Sequence, residues 1–354
     1  ALGCALAWEA ASRGLHTALL ERNDFGAATS ANSLRIVHGG LRYLQKLDLR
    51  RARKSSRERA IMLRIAPHLV APLECAVPTL SSWKRGRFAF SAGLALNRLV
   101  MAGYNRSLPA AQRIGAGGLC TREQLLLMAP GLHAKGVTGG ARWFDAVMSS
   151  GERLALAFAL SARARGATVL NHVAAEHGLA SNGHIHGVLA RDCISGETTE
   201  MAARIVIDCT NAGESMKPRL FGNPEPRRDF VKAVNIVLPD KGLTCAVGAP
   251  VRNDSGDPVA GRLIFAVPER DQTVVGTWYF NDETMSEKLA PSALEDILNT
   301  VNGAFPGWDL GIDDILGTQT GFLPRGADFA AEPLPTDQPK LIQATAVGGP
   351  EGLW

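Results

Sequence analysis

Residues 17–44 constrain this chain more than any other stretch. The apolar run Thr17-Ala18-Leu19-Leu20 ends in Glu21 and reads as a strand with a carboxylate at its C-terminal end. A loop of small and hydroxyl-bearing residues follows, Ala28-Thr29-Ser30-Ala31-Asn32-Ser33-Leu34, and then Arg35-Ile36-Val37-His38-Gly39-Gly40-Leu41-Arg42-Tyr43-Leu44. A carboxylate at a strand end can accept hydrogen bonds from a ribose diol. Thr29, Ser30 and Ser33 can offer hydroxyls and backbone amides to a pyrophosphate, while Gly39 and Gly40 let the main chain approach a flat ring.

What precedes Glu21 fits the same pattern. A dinucleotide-binding unit opens with a strand and G-x-G-x-x-G, whose glycines turn the chain so that a helix N-terminus points at phosphate. Gly3 stands where the third glycine would be, Ala5 to Arg13 reads as the following helix, and Gly14 as its C-terminal stop. Glu21 meets the expected spacing of about twenty residues after the glycines. The sequence therefore reads as beginning inside the phosphate loop, with the first strand and two glycines expected upstream.

Taken together, Gly3, Glu21 and His38-Gly39-Gly40 resemble the FAD-dependent glycerol-3-phosphate dehydrogenases of the D-amino-acid-oxidase-like superfamily. The resemblance implies an α/β fold, with a Rossmann-like FAD-binding domain and an interleaved antiparallel-sheet substrate domain. It assigns 1–72, 141–216 and 313–354 to the FAD-binding domain, and 73–140 and 217–312 to the substrate and cap domain. The cofactor it implies is FAD, touched by Gly3, Glu21, Arg22, Thr29, Ser30, Ser33, Leu34, His38, Gly39, Gly40 and Val173. Thr210, Ala212 and Gly213 are further candidates, because Cys209-Thr210-Asn211-Ala212-Gly213 stands where the family turns against the nucleotide. A strand-to-helix turn needing small residues explains the same letters. A flavin-contacting G-x-K-x-T-T motif is expected a few residues beyond Trp354.

A flavin accepts a hydride, so the protein must position the donor C–H, bind the substrate's charge and handle the hydroxyl proton. The resemblance points Arg42 at the substrate; the alternative is an arginine pairing a carboxylate on the following helix. His38 is a candidate proton acceptor beside the flavin, or else a buried histidine fixing the loop. Two departures bear on the substrate. The family's Gly-Val-Arg-Pro, whose arginine holds phosphate, reads Gly321-Phe322-Leu323-Pro324 here, leaving Arg325 as the candidate clamp. A Gly-Thr-Thr-Asp turn reads Gly276-Thr277-Trp278-Tyr279, which implies a larger or less charged substrate. The implied activity is oxidation of glycerol 3-phosphate or a related secondary alcohol. A flavin amine or amino-acid oxidase of the same superfamily, and a catalytically inert homologue, are the alternatives.

Composition bounds the rest. At 354 residues the chain can bury a large core. The formal net charge of +4 is too mild to argue for nucleic acid. Six scattered cysteines without a C-x-x-C pair suggest free thiols in a reducing, cytoplasmic setting. Lys46, Arg50, Arg51, Arg53, Lys54, Arg57, Arg59 and Arg64 concentrate charge on one helix, with Leu49, Ala52, Ser56, Ala60 and Leu63 facing inward. That face is either merely solvated or attracts an anionic substrate or membrane surface. The resemblance favours peripheral contact with the inner face of the cytoplasmic membrane and a quinone acceptor; an oligomer is compatible with it. His184 and His186 form an i, i+2 pair, read as an exposed hairpin rather than a metal site.

Further along, the sequence predicts a rigid connector at Pro67–Pro72, a strand from Leu73 to Pro78 and a capping box at Ser149/Glu152 before a helix. Three strands separated by Asn182-Gly183 and Ser195-Gly196 end in a strand over Ala203–Asp208. Four antiparallel strands are expected from Phe230 to Phe280, and a helix from Ser292 to Phe305. Asp313–Leu323 and Leu341–Val347 are expected to rejoin the dinucleotide part.

Overall fold

The structure, a computed structural model, describes residues 1–44, 48–81, 86–210, 230–253, 255–282, 286, 288–324, 343, 345 and 351–354. Its dinucleotide-type part pairs β1 (Ala18–Glu21) in parallel with β6 (Thr168–Asn171), Glu21 standing opposite Asn171. Parallel strands need a crossover and cover on their faces. Here α1 (Leu2–Ser12) and α6 (Gly151–Arg163) supply that cover. They meet through Ala7, Ala11 and Ala162, and through Cys4, Ala155 and Ala159, small side chains that let the two backbones approach closely. Trp8 packs on Phe158 at the margin, with ring centroids 5.5 Å apart.

The larger part is a sheet of nine strands among the described residues. Its path runs β14 (Gly317–Pro324), β10 (Phe230–Pro239), β13 (Gln272–Asp282), β12 (Pro258–Glu269), β11 (Ala246–Arg252), β3 (Val70–Leu80), β5 (Val137–Met148) and β2 (Ile36–Val37), with β4 (Gly118–Cys120) also on β5. Every pairing is antiparallel except β3 with β11. One face is covered by α5 (Arg122–Met128) and α7 (Pro291–Ala304), where Leu125, Ile297, Val301 and Phe305 close on Val234, Ile236 and Leu238. Pro291 starts α7 at a position where its missing N–H costs nothing. A second cluster lies between α3 (Leu49–Ile65), α4 (Arg87–Arg106), β5 and α6. Strands β7 (Val173–Ser181), β8 (His184–Asp192) and β9 (Thr198–Ala202) form a separate three-stranded meander. Asn182 and Gly183 both take positive φ, as a two-residue hairpin of this hand requires.

The α/β class and the antiparallel sheet agree with the sequence, but several details differ. Strand β3 starts at Val70 and runs through Pro72, because its residues already pair with Met148 and Val147 of β5 there. Ser150, not Ser149, caps α6: its hydroxyl accepts from Arg153 N at 2.9 Å, while Ser149 N donates to Leu69 O. The segment 203–208 forms no strand; Val206 makes an isolated parallel bridge to Leu353. Gly317–Pro324 is the edge of the nine-stranded sheet beside β10, although Phe322 reaches back to Thr29. Leu49 is exposed, whereas Arg59, counted with the solvated charges, is 1% exposed. Most of Leu341–Val347 lies outside the described residues.

Replacing Ala162 by leucine forces extra side-chain carbons into the α1–α6 contact, where Ala162 is fully buried, and overpacking of this kind costs about 1–3 kcal/mol. A lowered denaturant midpoint for A162L, with no change in its slope, is the expected result.

Candidate functional site

At the dinucleotide end, the first turn of α1 carries no acidic side chain, so this end of the helix suits an anion. A Cβ on Gly3 would lie 3.3 Å from both Leu19 Cδ1 and Cys209 Cβ, so glycine keeps the helix close to β1. Glu21 ends β1 and its Oε1 accepts from Asn23 N at 2.9 Å. Val173, at the start of β7, comes just after His172 and the end of β6, the partner of β1. A 3₁₀ turn over Ala28–Ser30 packs beside α6, where a Cβ on Gly151 would fall 2.4 Å from Ser30 O. Thr29 Oγ1 accepts from Phe322 N at 3.3 Å and Ser33 Oγ accepts from Arg35 N at 3.2 Å. Thr210 N and Oγ1 both donate to Asp208 Oδ1, at 2.8 and 2.6 Å. Gly3, Glu21, Thr29, Ser30 and Val173 thus belong to one end of the β1–β6 unit. A helix N-terminus beside a strand-end carboxylate and hydroxyl-bearing loop fits the ADP half of a dinucleotide.

The loop continues into a buried polar knot. Asp145, on β5, sits inside an apolar strand and is 4% exposed. Its Oδ1 accepts from Gly39 N at 2.6 Å and from Arg59 Nη1 at 2.7 Å. Its Oδ2 lies 3.2 Å from Trp143 Nε1, which donates to it, and 3.3 Å from His38 Nδ1. Arg59 also donates to Phe144 O at 2.7 Å and approaches Met101 Sδ at 3.0 Å, and Ser56 Oγ donates to Gly39 O at 2.6 Å. Burial by itself opposes ionisation of Asp145. The His38 hydrogen bond and charge, the Arg59 charge and the Gly39 N–H outweigh it and hold the carboxyl below the usual carboxylate range. Burial likewise pulls the Arg59 guanidinium down, with Asp145 opposing that shift.

This knot gives Gly39 and Gly40 a reason within the protein. A Cβ on Gly39 would fall 1.8 Å from Arg59 Nη1, and one on Gly40, at φ +95°, would fall 2.8 Å from Ala52 Cα on α3. His38 itself is not buried: its side chain is 65% exposed, with only the Nδ1 edge turned to Asp145. Leu34 packs against the cluster that contains Trp143. Arg42 lies in α2 (Leu41–Leu44), next to this turn, but its side chain is outside the described set, as are Ala212, Gly213 and Arg325. Arg22 directly follows the last residue of β1. Leu323 pairs with Val231 on the sheet edge. Among the described residues no three His, Cys, Asp or Glu side chains gather as a metal site; His184 instead faces Glu351, with Nδ1 to Oε2 3.3 Å.

Asp145 and Arg59 are the residues that sequence reasoning missed. Both carried a signal. Arg59 falls on the inward stripe of α3 with Ala52, Ser56, Ala60 and Leu63, and Asp145 is an acid inside the run Trp143-Phe144-Asp145-Ala146-Val147.

A family model described as FAD dependent oxidoreductase matches residues 1–351. Alpha-glycerophosphate oxidase of Streptococcus pyogenes serotype M1 is 31% identical over 328 residues, covering 91% of this chain and 52% of that protein. Glycerol-3-phosphate dehydrogenase from Bacillus halodurans, solved in complex with FAD, shares the fold with a TM-score of 0.70 at 24% identity, over 92% of this chain and 55% of the other. Glycine oxidase from Geobacillus kaustophilus shares it with a TM-score of 0.60 at 16% identity, over 99% and 84%. The chain spans about half the length of the curated relatives it matches.

Changing Asp145 to asparagine leaves the Arg59 guanidinium buried without a counter-charge, which costs about 3–5 kcal/mol. Because the folded carboxyl titrates lower than an unfolded one, its stabilisation is present above about pH 4 and is lost as pH falls through the folded value. Acid titration of stability is expected to lose this component in D145N, giving a shallower slope below about pH 4 than the wild type shows.

Proposed function

The chain belongs to the FAD-dependent oxidoreductase family, and from that premise we propose that the protein oxidises glycerol 3-phosphate or a related secondary alcohol. FAD, when bound, supplies the hydride acceptor. The α1 N-terminus and the Ala28–Ser33 loop hold its pyrophosphate, Glu21 its ribose, and Gly3 keeps α1 close enough for both. His38 takes the hydroxyl proton of the substrate. The observation that carries this reading is the exposed imidazole of His38, tied by one edge to a buried carboxylate at the end of that same loop. The substrate class is supported by the match to a protein named alpha-glycerophosphate oxidase.

A second reading rests on Leu323, an apolar residue where the resemblance calls for the phosphate-holding arginine. An amine or amino-acid substrate needs no phosphate clamp. The basic outer face of α3, with Arg50, Arg53, Lys54, Arg57 and Arg64 exposed, supports contact with an anionic membrane surface, and a quinone acceptor is proposed on the family resemblance alone. Among the described residues no helix is long and apolar enough to cross a membrane.

Anaerobic addition of glycerol 3-phosphate to the full-length protein, followed by absorption spectroscopy, tests the proposal. Bleaching of the flavin band is the expected result. A band that persists with glycerol 3-phosphate but bleaches with an amino acid, releasing ammonia, favours the second reading; no flavin band at all overturns both.

A further inference from the structure

We propose that Asp145 is a positioning residue that fixes His38 in one tautomer, with Nδ1–H toward the carboxylate and Nε2 turned outward as the proton acceptor. The inference rests on the proposed alcohol oxidation, but it concerns a buried carboxylate to which the comparisons assign no role. Both Asp145 oxygens already receive N–H donors, Gly39 and Arg59 on Oδ1 and Trp143 on Oδ2. All three donors carry fixed protons and none can accept one. A carboxylate this buried and paired with Arg59 has no proton of its own to give, so the contact with His38 Nδ1 is a hydrogen bond only when Nδ1 is the donor.

The rest of the ring follows from that constraint. With Nδ1 protonated, a neutral imidazole has its lone pair on Nε2, on the exposed side of a residue that is otherwise held at its backbone. Gly39 N is bound to the same carboxylate and Gly39 O to Ser56, so the peptide next to His38 cannot swing without breaking the knot. In alcohol oxidation His38 Nε2 would take the O–H proton, and FAD, when bound, would supply the acceptor for the C–H hydride, so that the carbinol would leave as a carbonyl. Charge and atoms balance, and the imidazolium that results lies beside the Asp145 carboxylate. Arg59 keeps that carboxylate ionised and oriented from its far side.

Nitrogen NMR of the imidazole rings in the flavin-loaded protein tests this without relying on turnover. His38 is identified among the eight histidines by the signal lost in His38→Gln. At alkaline pH the wild type is expected to show His38 protonated on Nδ1 and bare on Nε2. In Asp145→Asn the preference for Nδ1–H is expected to be lost, with kcat lowered about 100-fold or more while KM and the flavin spectrum stay close to wild type. A wild-type ring protonated on Nε2 overturns the proposal, and so does a folded D145N with unchanged kcat. Should D145N not fold, the wild-type tautomer alone decides. If His38 is protonated on Nδ1 but glycerol 3-phosphate fails to bleach the flavin, the substrate assignment falls and the role of Asp145 stands.

Discussion

The contact on which the rest of the site depends is the buried ion pair of Arg59 and Asp145. An arginine at 1% exposure is tolerable only with its charge met at close range, and Asp145 meets it at 2.7 Å from a neighbouring strand. The pair ties α3 to β5 and takes in the His38-Gly39-Gly40 turn through Gly39 N. Charge burial of this kind is costly unless every partner is satisfied. The additional bonds to Phe144 O and from Trp143 Nε1 supply further partners, while the buried Arg59 Nε has none among the described residues.

Small residues do the complementary work at the dinucleotide end. Alanines between α1 and α6 allow two helices to cover the same short parallel pair, and Gly3 removes the side chain that would lift α1 off β1. Gly151 lets the start of α6 meet the carbonyl of Ser30. One loop therefore runs from the end of β1, past the start of α6, to the carboxylate knot. Its first half has the chemistry of a phosphate and ribose cradle, and its second half presents an imidazole.

Much of this was legible in the letters. The strand ending in Glu21, the helix stopped at Gly14, the Asn182-Gly183 hairpin and the antiparallel run from Phe230 all follow from local rules of period, turn chemistry and capping. What stayed hidden depends on tertiary partners. Ser149, with Glu152 three residues on, is the cap the sequence favours, and Ser150 takes that place because Ser149 N pairs with Leu69 O. Arg59 looks like one more cation on a basic helix until a carboxylate from β5, 86 residues along the chain, meets it. For the same reason the letters Gly39 and Gly40 suggest only a ring approaching the backbone, and do not show that their Cβ positions are also closed by Arg59 and α3.

The His38-Gly39-Gly40 turn, on which we place the proton acceptor, hangs on the Asp145 carboxylate through Gly39 N and His38 Nδ1. A double-mutant cycle on folding stability, combining Asp145→Asn with Arg59→Met, measures that dependence directly. The account predicts that the double variant is more stable than the sum of the single changes by about 2–3 kcal/mol, since removing both partners leaves no unpaired buried charge. Single effects that add to within about 0.5 kcal/mol would contradict it.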